Sequence, residues 1–208
     1  MARGFVAAGL VVLGNVYDQL SRTRPGTVRR LAGGRQAEQA RAETEQRLRN
    51  IVLAYEAATT SLTLRLLSVE DVCSGGGGWT FTAEGAYKVS CTLYVTAYYS
   101  VRGDMGAALS EILAAGDRPG SPMPFGGTAL PPDPRETGQL LAAGQSLAWD
   151  TPRRAVEELR PCLRRRNEPP VYRCLREPAE LTVSAVRQTY GTVLQLGLNP
   201  VVYFRVGR

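Results

Sequence analysis

The chain has 208 residues, 25 Lys or Arg against 19 Asp or Glu, a net charge of +6 and no histidine. That length supports one packed domain with an extension, and the lack of histidine removes Ser-His-Asp and Cys-His catalysis, His-ligated zinc and histidine pH switching. Ordinary shares of hydrophobic (44%) and charged (21%) residues exclude global disorder, and no apolar run reaches the roughly 18 residues of a membrane-spanning helix.

The stretch from Gly4 to Tyr17 carries no charge; Arg3 precedes it and Asp18 closes it. As a helix, residues 4–17 span about 21 Å, short of a hydrocarbon core of about 30 Å. Residues 1–20 therefore read either as a secretory signal or signal anchor reaching the membrane, or as a packed helix with Val6, Leu10, Leu13, Tyr17 and Leu20 on one side. Arg22, Arg24, Arg29 and Arg30 follow the apolar run and argue against export, because positive flanks prefer the cytoplasmic side. Residues 21–35, with Pro25, Gly26, Gly33 and Gly34 among arginines, read as a linker, and 36–208 as a single domain.

A helix is expected from about Gln36, with Leu48, Ile51, Val52 and Tyr55 as its apolar stripe. Thr59 to Leu67 is ambiguous: Leu62, Leu64 and Leu66 alternate like a strand, whereas Tyr55, Leu62 and Leu66 continue the helix. The run Cys73-Ser74-Gly75-Gly76-Gly77-Gly78 reads as a surface loop. It lacks the lysine and following helix that a phosphate-binding loop requires.

The strongest pattern runs from Trp79 to Val101. A hairpin is expected, with a turn at Glu84-Gly85. Its second strand carries Tyr87, Val89, Cys91, Leu93, Val95, Ala97, Tyr99 and Val101 on a buried face, with Lys88, Tyr94 and Tyr98 among hydroxyl residues on the other. Lys88, Tyr94 and Tyr98 are the candidate binding face, an aromatic platform for sugars, peptides or bases. The competing reading is that a helix covers these tyrosines. Arg102-Gly103-Asp104 resembles an adhesion tripeptide, but Gly103 ends the strand and Asp104 caps a helix carrying Met105, Ala108, Leu109, Ile112 and Leu113 up to Gly116.

Residues 116–138 are rich in Pro and Gly and exceed the usual connection length, which marks them as functional or disordered. A short strand is expected over Ser146 to Trp149. A helix is expected next, capped by Thr151, with Pro152 first and Val156, Leu159 and Leu163 inward, kinked or ended by Pro161. Arg160, Arg164, Arg165 and Arg166 form the densest basic cluster and a candidate anion-binding site. Strands are expected at Val171 to Leu175, at Leu181, Val183 and Ala185, and at Leu194, Leu196 and Leu198. A final strand holds Val202, Phe204 and Val206 after an Asn199-Pro200 turn.

The cysteines are Cys73, Cys91, Cys162 and Cys174. No C-x-x-C occurs, so neither a thioredoxin-type redox pair nor a zinc ribbon is signalled. Three disulfide pairings are open; the local pairs Cys73–Cys91 and Cys162–Cys174 are favoured, against four free core thiols in a reducing cytosol.

These elements predict an α+β fold, an antiparallel sheet built around a long hairpin and covered on one face by amphipathic helices. No nucleophile–base pair or metal cluster is visible; Glu70, Asp71 and Asp104 have no reason in sequence to meet. No cofactor and no metal site is expected. The reading is a noncatalytic exported or membrane-tethered domain that binds another protein or an envelope polymer. The alternative is a cytoplasmic basic module for nucleic acid or another polyanion, using the arginines of residues 153–176.

Overall fold

A computed structural model describes residues 23–76, 87–160, 162 and 169–207. The expected apolar helix of residues 1–20 and the expected turn at Glu84-Gly85 lie outside the described residues. Among those described, no helix is long and apolar enough to cross a membrane.

The chain forms α1 (Pro25–Ala32), α2 (Arg35–Ala58), β1 (Leu62–Gly75), β2 (Tyr87–Val101), α3 (Met105–Gly116), α4 (Pro134–Thr137), β3 (Gln139–Ala142), β4 (Gln145–Trp149), β5 (Val171–Glu177), α5 (Val183–Tyr190) and β6 (Val193–Gly207). The strands make one six-stranded antiparallel sheet in the order β3-β4-β6-β2-β1-β5. This is the expected α+β architecture, with the long β1–β2 pair near its centre.

The 24 residues of α2 extend about 36 Å over one sheet face. Leu48, Val52 and Tyr55 of α2 and Leu109 and Ile112 of α3 pack on Leu93, Val95, Ala97 and Tyr99 of β2. The Tyr99 hydroxyl donates to the Val52 carbonyl (2.8 Å), and the Tyr55 hydroxyl to Gln145 Oε1. The inner layer is thus tied by polar anchors as well as by apolar burial. Asp104 caps α3 by accepting from the Ala107 amide.

Residues 21–35 are not merely a linker. Pro25 opens α1, where its missing N–H costs nothing. Val28 and Ala32, one turn apart, bury against Cys73, Val89 and Cys91. β1 continues through Gly75 rather than becoming a loop at Cys73, and a side chain on Gly76 would collide with the Tyr87 carbonyl.

Two bulges explain where simple alternation misleads. A register shift between Leu64 and Leu66 sends Leu66 to the opposite face, so Leu62, Leu64, Leu67 and Val69 face the helices instead. Asn199-Pro200 is no turn: β6 runs on unbroken to Gly207, and its pairing with β2 shifts opposite these two residues. β4 pairs only with Leu194 to Leu198, so Pro200, which lacks an N–H, stands where β6 becomes a sheet edge.

The Pro/Gly-rich stretch 116–138 is ordered against the core. Met123 and Phe125 are buried, Gln145 Nε2 donates to the Pro122 carbonyl (2.7 Å) and Trp149 Nε1 to the Pro134 carbonyl (2.7 Å). Gly116 and Gly126 touch backbone to backbone: a Cβ on Gly126 would stand 2.7 Å from the Gly116 carbonyl oxygen.

The helix expected after Thr151 does not form. Residues 151–160 run as an irregular strap, because tertiary partners take its backbone groups: the Val156 amide donates to Asp150 Oδ1, and Arg187 donates to the Val156 carbonyl. The strand expected over Leu181, Val183 and Ala185 is the start of α5. There the Thr182 hydroxyl accepts from the Ala185 amide, and Val183 and Val186 bury one turn apart.

Glu111 locks α3 to the α2–β1 corner. Its carboxylate accepts from the hydroxyls of Thr60 (2.7 Å) and Ser61 (2.8 Å) and from both their amides. Those bonds, the Thr60 hydroxyl foremost, lower its pKa from 4.5 to about 2. A depressed carboxylate stabilises the fold above its unfolded value and ceases to do so as pH falls towards its folded one. Between pH 4.5 and 2 the urea midpoint of the wild type is therefore expected to fall more steeply than that of Glu111→Gln. Parallel curves across that window would refute the assignment.

Candidate functional site

The two sheet faces differ chemically. The helices α2 and α3 cover one; on the other, α5 and the strap cross part of a polar surface. Leu66, Tyr98, Val156, Val183, Val186 and Val193 make a separate small core beneath that crossing.

The expected platform of Lys88, Tyr94 and Tyr98 is therefore not one surface. Tyr98 is 2% exposed, roofed by the strap and α5. Tyr94 is 42% exposed in the open part of the face. Lys88 is exposed but lies ten residues along β2 from Tyr98, about 33 Å away. Of the basic cluster, Arg160 is exposed at the end of the strap, and Arg164, Arg165 and Arg166 lie outside the described residues.

Many of the other arginines of the C-terminal quarter are engaged within the protein. Arg153 pairs with Glu136, Arg173 with Glu45 and Arg187 with Asp150, while Arg176 donates to the Arg160 carbonyl. That leaves fewer guanidiniums for phosphates than the sequence suggests. Among the described residues no group of three or more Cys, Asp or Glu is placed to hold a metal ion.

Between strap and sheet lies a cavity of about 340 Å³. Its floor is a cross-strand row: Ala148 of β4 faces Gln195 of β6, which faces Tyr98 of β2. Glu70 of β1 lies on the same face, directly opposite Tyr94. Arg154, Glu157, Glu158, Leu159 and Arg160 form the roof.

Glu158 is committed to structure. It accepts from the amides of Val183 and Ser184 (2.8 Å each) at the start of α5, where the helix dipole favours a negative charge. Burial pushes its carboxyl up, but those amide bonds outweigh it and hold it below the usual range. Burial, followed by the Glu158 charge, pushes the Tyr98 phenol up to about 12, so it is a neutral donor and acceptor at ordinary pH. The Tyr98 hydroxyl, the Gln195 amide and the Glu70 carboxylate have no hydrogen-bond partner among the described residues.

A larger cleft of about 860 Å³ opens beside α3, walled by Leu130 and the prolines 131, 132 and 134. Its aspartates and Arg187 are already matched within the protein. Asp150 takes both arms of Arg187 and the amides of Val156 and Val193, and Asp104 and Asp133 cap α3 and α4.

The cysteines pair locally. Cys73 and Cys91 face each other across β1 and β2 with Cα atoms 4.0 Å apart, and Cys162 and Cys174 stand 5.6 Å apart, both at disulfide distance. No cysteine is left free. The second pair ties the end of the strap to β5.

The sequence named Tyr98 and Tyr94 correctly as neighbours on one face. It gave no reason to join Glu70 to them and missed Gln195. The alternation of Leu194, Leu196 and Leu198 already put Gln195 on the opposite side, but only the β2–β6 register brings it to Tyr98. Comparison with family models, curated proteins and solved structures finds no match for this chain.

Proposed function

We propose that this protein is a noncatalytic, extracytoplasmic binding module, with an envelope polymer or another protein as partner. The observation that supports this reading is the pairing of all four cysteines at disulfide distance. Disulfides persist in oxidising compartments and are reduced in the cytosol. A sheet face whose polar groups lack partners among the described residues, beneath a cross-linked strap, fits binding better than chemistry, since none of the described residues there pairs a nucleophile with a base.

The test is chemical. Protein taken from its native host into alkylating denaturant should label at none of the four cysteines until a dithiol reductant is added. Four labelled cysteines before reduction would overturn an extracytoplasmic location.

A further inference from the structure

We infer that the cavity between the strap and the outer sheet face is a carbohydrate subsite that takes a neutral, polyhydroxylic ring. The inference deepens the proposed binding role by naming a ligand class for it.

The lining matches an uncharged ligand rather than an ion. Glu70, Glu157 and Glu158 line it together with Arg154 and Arg160, so the charges nearly cancel, and Glu158 is turned to the amides of α5. An anion would meet carboxylates and a cation guanidiniums. A ring bearing hydroxyls can donate to Glu70, accept from the arginines and do both with Tyr98 and Gln195.

Tyr98 is 2% exposed, and its hydroxyl has no hydrogen-bond partner among the described residues. Its oxygen nevertheless is not among the sealed, unpartnered atoms, of which the described residues show only Arg176 Nε. The hydroxyl therefore opens on the cavity it lines. The volume of about 340 Å³ lies at the small end of ligand sites, suited to one ring rather than to a chain.

A second feature continues the site outward. Tyr94, 42% exposed, stands across from Glu70 on the same face, about 13 Å along β2 from Tyr98. Its ring offers an apolar surface on which a sugar further along an oligomer can stack.

Calorimetric titration of the oxidised full chain with cellotriose, maltotriose and the trimer of N-acetylglucosamine tests this, alongside co-sedimentation with insoluble cell-wall glycan. Saturable binding of at least one is expected, in the soluble arm for a free sugar and in the sedimentation arm for a polymer. Tyr98→Phe keeps the ring and removes the hydroxyl; it should weaken binding about tenfold at an unchanged thermal midpoint. If that variant folds poorly, Gln195→Ala serves the same purpose. No binding in either arm overturns the inference, as does a loss below threefold in both variants or tighter binding of sulfated sugars than of neutral ones. The outcomes separate from those of the location test. Sugar binding with four labelled thiols in the host sinks only the location, and no sugar binding with intact disulfides sinks only the ligand.

Discussion

Replacing Arg41 with alanine is expected to destabilise the protein by about 3 kcal/mol, the scale on which a buried charge loses its partner. The partner is Asp71, 1% exposed, on the helix-facing side of β1. Arg41 Nε lies 2.7 Å from Asp71 Oδ2, and the Tyr203 hydroxyl donates to Asp71 Oδ1 at 2.8 Å. Arg41 also donates to the Tyr203 hydroxyl and to the Ala32 carbonyl, so one side chain joins α1, α2, β1 and β6. The arginine is 21% exposed and can be solvated when its partner is removed, whereas the carboxylate cannot. The asymmetry gives the check its force. In urea denaturation Arg41→Ala should cost more than Asp71→Asn, and adding Asp71→Asn to Arg41→Ala should recover stability by removing the stranded charge. A cost below 1 kcal/mol for Arg41→Ala, or no recovery in the double variant, would sink this account.

That cluster also marks where the sequence stops being informative. β2 was legible because fifteen residues of strict alternation admit one secondary structure. The α2 stripe and the Asp104 cap were legible because their signals are local, within one or two helical turns. Arg41, Asp71 and Tyr203 are separated by as many as 162 residues, and only the sheet order brings them together. The same holds for the floor of the cavity, where Tyr98 and Gln195 meet through β2–β6 pairing.

The errors have a common cause as well. At Leu66 and over Leu181 to Ala185 a short alternation is broken by a bulge or a cap, and at Asn199-Pro200 a local turn signal yields to a strand that continues through a bulge. In the strap, good local signals for a helix at Thr151-Pro152 lost to Asp150, Glu158 and Arg187, which satisfy its backbone and the adjoining end of α5 from outside. Tertiary hydrogen bonds of that kind leave no periodic trace.

The two disulfides are expected to behave oppositely. Cys73 and Cys91 are fully buried, whereas Cys162 is exposed. Thiol–disulfide exchange requires a thiolate to reach a sulfur. A dithiol added to the folded protein should therefore open Cys162–Cys174, giving two protein thiols and an oxidised dithiol, while Cys73–Cys91 waits for unfolding. Alkylation followed by peptide mapping should find label at Cys162 and Cys174 first; equal labelling of all four, or label at Cys73 and Cys91 first, would contradict the burial argument. The loops closed have separations of 18 and 12 residues, so loop entropy assigns each bond a similar contribution of about 3 kcal/mol. Position decides how that contribution appears. Cys73→Ser with Cys91→Ser should lower global stability by about 3 kcal/mol, because the bond joins two central strands under α1. Cys162→Ser with Cys174→Ser frees one end of the strap while Asp150, Glu158 and Arg176 still hold it. There the loss should appear first as faster amide exchange at Val156, ahead of any change at Leu93 or Val95. A roof that loosens while the sheet stays intact also exposes Tyr98, so in this variant sugar affinity should fall before the core does.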